Sequence, residues 1–485
     1  MAKLRIAVMA LLFSSAAMLE AFRLSSLSAL TNGDVWWHLS CGLWALQHRA
    51  LPHSGLFSQS ATQPWVASSW AYDLLLALGY KLVGLRAIPA LLMLFKTALA
   101  VVTFLLVGGL RGRFWTAVAL SLVAQFALGA IQPGPAYVSV LFFGIEIALL
   151  LKARRTGNLR PLWWLPFLFL LWANLHVQFV YGVVVLLLFL LVLVCERYVT
   201  SLSARSPALG KVTKILGISW LATFITPYLY RPYGVFFATT FSSANQYLPD
   251  FHALGFRQPQ DYLLLLLAMA AFLALGLRRS RDLFQIGLLA GCLAMSFYAQ
   301  RDIWLITLAA LAIIGEAMTS RPAVELAAST EKRRWAREAL IAAIVSIGIL
   351  VVAAAIRIPR NRATLLVKVG QRYPVAASDY IRDHRLPQPL FNAYEWGGFL
   401  TWYLPEYPVA IDGRTELYGE GVVTQYSKVM NADERYTEYP ALAGAQTILL
   451  PKGAIMGEAL SSVPIFKLEY SDDVAIVLSR RRADE

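Results

Sequence analysis

Long apolar runs broken by short polar stretches dominate the chain from its N-terminus to Ile356. Runs near the roughly 20 residues that a helix needs to span a bilayer occur near 6–30, 88–108, 114–130, 135–151, 161–174, 178–196, 212–229, 261–277, 283–300, 303–318 and 338–357. Apolar residues are continuous rather than alternating within them, which predicts helices instead of barrel strands. In lipid only those two structures satisfy every backbone group. Eleven crossings put the two chain ends on opposite sides of the membrane. Ser69 to Val83 is also apolar enough to span. Counting it inverts the later loops, so it is read as a partial or interfacial helix, within a total of about 11 to 13 transmembrane helices.

Beyond Arg357 the pattern changes: charged residues, Gly and Pro become frequent and no further spanning run follows. Residues 358–485 are expected to form a soluble α/β domain, at about 125 residues long enough for its own core. Pro374 to His384 and Ile455 to Ser461 predict helices. Leu390 to Asn392, Val409 to Ile411 and Thr447 to Leu450 predict strands, and Phe466 to Leu478 a hairpin turning at Ser471-Asp472-Asp473. Residues 1–357 are the expected transmembrane domain, including a polar loop over 31–69.

A chain that is 58% hydrophobic and 15% charged, with mean hydropathy +0.57, has far more apolar surface than one soluble core can bury. The net charge of +14 suggests nucleic acid at first sight. Its basic residues gather instead in short clusters between spans, Lys152 to Arg155, Arg278 to Arg281 and Lys332 to Arg337. That is the cytoplasmic signature of a membrane protein and makes a nucleic-acid partner unnecessary; anionic membrane lipids account for any remainder. Lys3 and Arg5 agree, placing the N-terminus inside and the tail outside. The first run could serve as a cleaved signal, but its apolar character continues to Leu30 and favours a span. Cys41, Cys195 and Cys292 are too dispersed for a disulfide framework or a metal motif.

This topology collects the 31–69 loop, Pro133 to Pro135, Asn174 to Gln178, Tyr228 to Gln260, Arg301-Asp302 and the tail on the outer face, so chemistry is expected there. Between Thr31 and Asp73 one carboxylate, Asp34, stands among His38, His48, His53 and five tryptophans. Trp36, Leu39, Leu43 and Leu46 recur at helical spacing with Asp34, His38 and Cys41 opposite, which predicts an amphipathic helix on the bilayer surface. One turn apart, Asp34 and His38 could share a divalent ion or a phosphate, and Asp34 could take a proton from a hydroxyl. A plain helix cap at Asp34, with the tryptophans as an interfacial belt, fits the same residues.

An acid after the first span followed by aromatics and a His resembles the first outer-loop motif of GT-C fold membrane glycosyltransferases. More closely, Asp34, Trp36, Trp37, His38, Gly42, Pro52, Phe57, Ser58, Pro64, Trp65, Trp70 and Asp73 are similar to the pattern of a bacterial group of GT-C-like proteins, distantly similar to oligosaccharyltransferases and protein mannosyltransferases. The resemblance extends to Trp172, Asn174 and His176, to Pro232-Tyr233-Gly234, to Arg301, and to a tail containing Glu395-Trp396-Gly397-Gly398 and Asp412-Gly413-Arg414. Where the group has Glu-Trp after Pro-Tyr-Gly, this chain has Asp250-Phe251-His252.

The resemblance implies a glycosyltransferase that takes sugar from a polyprenyl-phosphate carrier at the outer face of a bacterial inner membrane, with a periplasmic C-terminal domain. It implies Asp34 as base, with Asp73 or Asp250 as second carboxylate, and His38, His176 and Arg301 on the donor phosphate. Glu395, Trp396, Asp412 and Arg414 would meet the acceptor, a glycan, lipid or protein. Magnesium or manganese at Asp34 and His38 is allowed by this fold class and not required. Bland alternatives stay open: Gly397, Gly398 and Gly413 as turns, Asp412 with Arg414 as a local ion pair, His176 as a packing residue, and Glu20 paired with Arg23. A lipid or lipid-linked sugar flippase and a non-catalytic assembly protein are the rival functions. A transporter would show repeated halves, which the sequence lacks.

Overall fold

A computed structural model describes residues 2–23, 30–53, 55–110, 113–198, 209–319 and 328–481. In chain order its helices begin with α1 (Ala2–Arg23), α2 (Gly33–His48), α3 (Trp70–Val83), α4 (Ala87–Leu106), α5 (Phe114–Ala127), α6 (Ala136–Thr156), α7 (Leu165–Leu175), α8 (Phe179–Tyr198), α9 (Leu209–Ala222) and α10 (Arg231–Thr240). They continue with α11 (Pro259–Leu277), α12 (Leu283–Tyr298), α13 (Ile303–Thr319), α14 (Ala328–Arg357), α15 (Arg362–Val369), α16 (Val375–Asp383), α17 (Tyr394–Tyr403), α18 (Gly419–Met430), α19 (Pro440–Ala443) and α20 (Ile455–Ser461). Four strands, β1 (Leu390–Asn392), β2 (Thr447–Pro451), β3 (Phe466–Ser471) and β4 (Ala475–Arg480), complete the fold.

Every segment expected to cross the membrane contains a helix, although 212–229 is helical only as far as Ala222; the end of the first, 24–29, lies outside the described residues. Among the described residues six helices are long and apolar enough to span a bilayer: Ala2–Ala21, Trp70–Leu106, Ala136–Thr156, Phe179–Tyr198, Pro259–Leu277 and Arg333–Arg357. Phe114–Ala127 and Leu283–Tyr298 are shorter apolar helices. This is an integral membrane protein. The doubtful stretch after Ser69 is α3, which runs through a 3₁₀ turn, Gly84–Arg86, into α4.

The chain forms two compact units. The first comprises 1–22, 91–233 and 249–357. Its axis is α13, buried without a break from Asp302 to Ile313, as suits a helix that is apolar on all sides. Phe13, Phe104, Phe114, Leu264, Ile306 and Leu311 share its core. Several charges inside the unit are paired rather than left alone in the apolar interior. Arg154 bonds Glu196 and lies 2.9 Å from Asp282, and Arg155 bonds Glu316. These bridges tie the C-termini of α6, α8 and α13 to the start of α12, at the basic end. Glu20 accepts from Lys96 Nζ at 2.5 Å; the pairing with Arg23 that the three-residue spacing suggested lies outside the described residues. Glu146 is fully buried, and its oxygens have no hydrogen-bond partner among the described residues.

The second unit comprises 23–90, 234–248 and 358–485. The division expected at 357 is therefore redrawn: α2 and α3, assigned to the transmembrane half, belong with the tail. Its sheet has the order β1-β2-β4-β3, with β1 and β2 parallel and the other pairs antiparallel. Predicted β1 and α20 match residue for residue. Val409 to Ile411 is not a strand; Val409 makes one isolated bridge, to Ser58. The supposed Trp-Gly-Gly turn is the interior of α17, where the absence of side chains allows close approach. A Cβ on Gly398 would lie 2.3 Å from the Gly33 carbonyl oxygen, one on Gly397 2.0 Å from that of Ile411, and one on Gly42 2.0 Å from that of Asp73. So α2 is held between α17 and α3. It is buried around its first half, Val35 to Gly42 apart from Trp37, and is not the surface helix expected from its pattern.

Candidate functional site

In the second unit the site begins at the cap of α2. Asn32 accepts a hydrogen bond from the Asp34 amide at 2.8 Å, so the capping role goes to Asn32 and the Asp34 side chain is released from it. The Trp37 indole donates to Asp34 Oδ1 at 3.1 Å. That carboxylate abuts Gly413: a Cβ there would come within 2.1 Å of Oδ1. Asp34, Trp37, Tyr394, Gly413 and Glu416 are all half-buried, and together they form an accessible, aromatic and acidic patch.

The other predicted residues of this unit are used differently. His38 Nδ1 and Asp73 Oδ1 lie 2.6 Å apart, both side chains buried. Asp73 thus secures the imidazole and is no second carboxylate beside Asp34. The two side chains bond different partners, Asp34 to Trp37 and His38 to Asp73. Asp412 and Arg414 are enclosed, at 0% and 1% exposure. Arg414 donates through Nε at 3.0 and 3.1 Å and through Nη2 at 2.5 Å to that carboxylate, and its guanidinium packs 4.8 Å from the Trp65 ring and 5.5 Å from Phe57. Burial works against its charge, but Asp412 outweighs that and moves its pKa up. The pair is enclosed behind the Asp34 patch, which it adjoins through Gly413. Trp396 is also buried, donating to the Arg372 carbonyl at 3.2 Å, while Glu395 is exposed. Trp36 belongs to an internal aromatic cluster with Tyr373, Phe399 and Trp402, not to an interfacial belt.

Glu416 and Tyr394 escaped the sequence reading. Glu416 lies in the 3₁₀ turn Thr415–Leu417 that follows Arg414. Burial pushes its carboxyl up to about 7; Arg414 draws it down and the neighbouring Asp412 and Asp34 raise it. Burial raises the Tyr394 phenol too, with the charges of Asp34, Asp412, Glu416 and Glu395 adding to the effect. The only sequence signal was proximity to the Asp-Gly-Arg motif.

The first unit holds the remaining candidates on linked turns. Gln132 donates to both Asp250 oxygens, at 3.2 and 3.0 Å, and Gln300 N–H donates to the His252 carbonyl at 2.9 Å. Arg301 lies 4.2 Å over the Phe251 ring, with Nε 3.9 Å from Asp302 Oδ1. Burial raises the Asp250 carboxyl while Arg301 opposes the shift. His176, at the end of α7, has Nδ1 2.7 Å from Ser139 Oγ, which accepts from the Trp172 indole at 2.8 Å. That chain is how a packing histidine is satisfied. Asp302 and Gln178, which the sequence placed on outer-face turns, form with Tyr181, not mentioned there, a buried polar group beneath Arg301.

Among the described residues no group of three or more His, Cys, Asp or Glu is placed to hold a metal ion. No family profile matches the sequence. No curated protein matches it either. Among solved structures the chain is similar to ArnT from Cupriavidus metallidurans bound to undecaprenyl phosphate, at 12% identity, TM-score 0.49 and 98% coverage of each chain. It is similar also to the apo state of that protein, at 13% identity, TM-score 0.48 and 97% coverage of each. Likeness at this identity and score assigns no donor or acceptor, so the roles of Asp34 and Arg301 rest on the chain's own residues.

Proposed function

We propose that the protein is a membrane glycosyltransferase that moves a sugar from a polyprenyl-phosphate carrier to a hydroxyl-bearing acceptor, at the outer face of a bacterial inner membrane. The observation that carries this reading is Asp34. Of the carboxylates in its unit predicted to act, it is the one left accessible yet oriented, by Trp37 and the Gly413 backbone, while Asp73 and Asp412 are spent in buried pairs. The donor class and the membrane face come from the sequence resemblance and the basic clusters.

Transfer forms a bond from the acceptor oxygen to the anomeric carbon as the bond from that carbon to the phosphate oxygen breaks. The acceptor proton goes to a base, a role for Asp34. The departing phosphate keeps the electron pair and needs a cation. Trp37 and Tyr394 offer ring faces against which a sugar can lie. No step requires a metal.

The test is sugar transfer by the purified chain in nanodiscs, with polyprenyl-phosphate sugars and a membrane glycan extract. Asp34→Asn should lower turnover by about 10²- to 10⁴-fold, the usual contribution of a general base, with its melting temperature retained. Turnover in EDTA should equal that in magnesium. Donor binding without cleavage, equal in wild type and Asp34→Asn, would instead favour transport or assembly.

A further inference from the structure

In the first unit, Asp302 is 1% exposed at the turn before α13. It accepts a hydrogen bond from Tyr181 at 2.6 Å on one oxygen and from the Gln178 amide at 2.9 Å on the other. Its own carbonyl accepts from Ser296 Oγ at 2.7 Å, and the same Oγ accepts from the Ile306 amide. The turn is therefore pinned to α12, α13 and the start of α8. A buried carboxylate among membrane helices is costly, and packing alone does not ask for one.

What this carboxylate faces is Arg301. Its Nε is 3.9 Å away, a charge contact longer than a hydrogen bond, and the Phe251 ring fixes the guanidinium plane from the side. The Arg301 side chain keeps 25% exposure, and its terminal Nη groups donate to no described residue. An arginine steadied from behind by a buried acid, with its forked end free, is built to receive a planar or tetrahedral oxyanion.

We propose that Asp302, held by Tyr181 and Gln178, is a positioning residue that aims Arg301 at the phosphate of the lipid carrier. The inference rests on the lipid-phosphate donor proposed above. It places the discrimination between a phosphorylated and an uncharged polyprenol at this turn, with Arg301 touching the phosphate and Asp302 acting only through Arg301.

The experiment measures binding of undecaprenyl phosphate and of undecaprenol to the purified full chain in nanodiscs, for wild type, Arg301→Ala, Asp302→Asn and Tyr181→Phe. Wild type should prefer the phosphate, and Arg301→Ala should lose the preference. Asp302→Asn should reduce it roughly tenfold, the lower end of what losing the outer partner of a metal-binding side chain costs, and Tyr181→Phe should reduce it by less. Undecaprenol binding should stay constant in all four. A merely structural Asp302 would weaken both lipids alike or lower the melting temperature without changing their ratio, and that result overturns the proposal. A preference lost in Arg301→Ala but intact in Asp302→Asn also overturns it, leaving the donor class untouched. Absence of any preference in wild type defeats the donor reading itself, and this inference with it.

Discussion

Asp34 and Glu416 carry the same functional group in different circumstances. Asp34 was legible as a candidate because it stood alone among aromatics after the first apolar run. Glu416 was not, because nothing local distinguishes it from any acid in a turn; its setting comes from burial in the folded chain and, besides nearby Arg414 and Asp412, from Asp34 far away in the chain. Its folded pKa, about 7, lies above the ordinary 4.5. Between those values the folded chain keeps a proton that the unfolded chain has released, so this group makes stability fall as pH rises across that interval. Glu416→Gln should remove that part of the decline, leaving a flatter melting temperature in detergent over the same range. An unchanged slope would mean that Glu416 is solvated like an ordinary glutamate.

For elements, periodicity served well where one kind of environment surrounds a segment. Apolar runs became helices because a lipid-facing or buried helix needs no second signal, and β1 and α20 kept the bounds expected of them. It failed at α2 and α17. The polar-looking face of α2 is buried because His38 meets Asp73 on α3, and such pairing is invisible to a moment taken along one helix. Gly397 and Gly398 imply a turn locally, yet α17 uses them to bring its backbone against Gly33 and Ile411. The His38–Asp73 pair now fastens α2 to α3, so His38→Ala should leave a buried carboxylate unpaired at a cost of about 3–5 kcal/mol. Thermal melts in detergent check this, with Asp73→Asn in the same background recovering part of the loss; full stability of His38→Ala alone would show that the pair contributes nothing.

At the scale of the whole molecule, the composition break at Arg357 suggested a separate domain, but the compact unit there is assembled from three stretches of chain. A fragment of residues 358–485 would lack α2, whose Trp36 packs on Phe399 and Trp402, and Gln59, whose amide donates to the Leu390 carbonyl of β1. Expressed alone it should bind hydrophobic dyes and melt without a cooperative transition, whereas co-expression with residues 1–357 should restore one; a sharply melting fragment would contradict this. By itself the sequence determined that the chain lives in a membrane, which segments are helical, and that Asp34 and Arg301 merit attention, because hydropathy and charge act locally and additively. The tertiary structure alone decided which charges are spent and which are available. That depends on burial and on partners far apart in the chain, such as Asp73 for His38 and Tyr181 for Asp302, and no local pattern encodes the meeting of such residues.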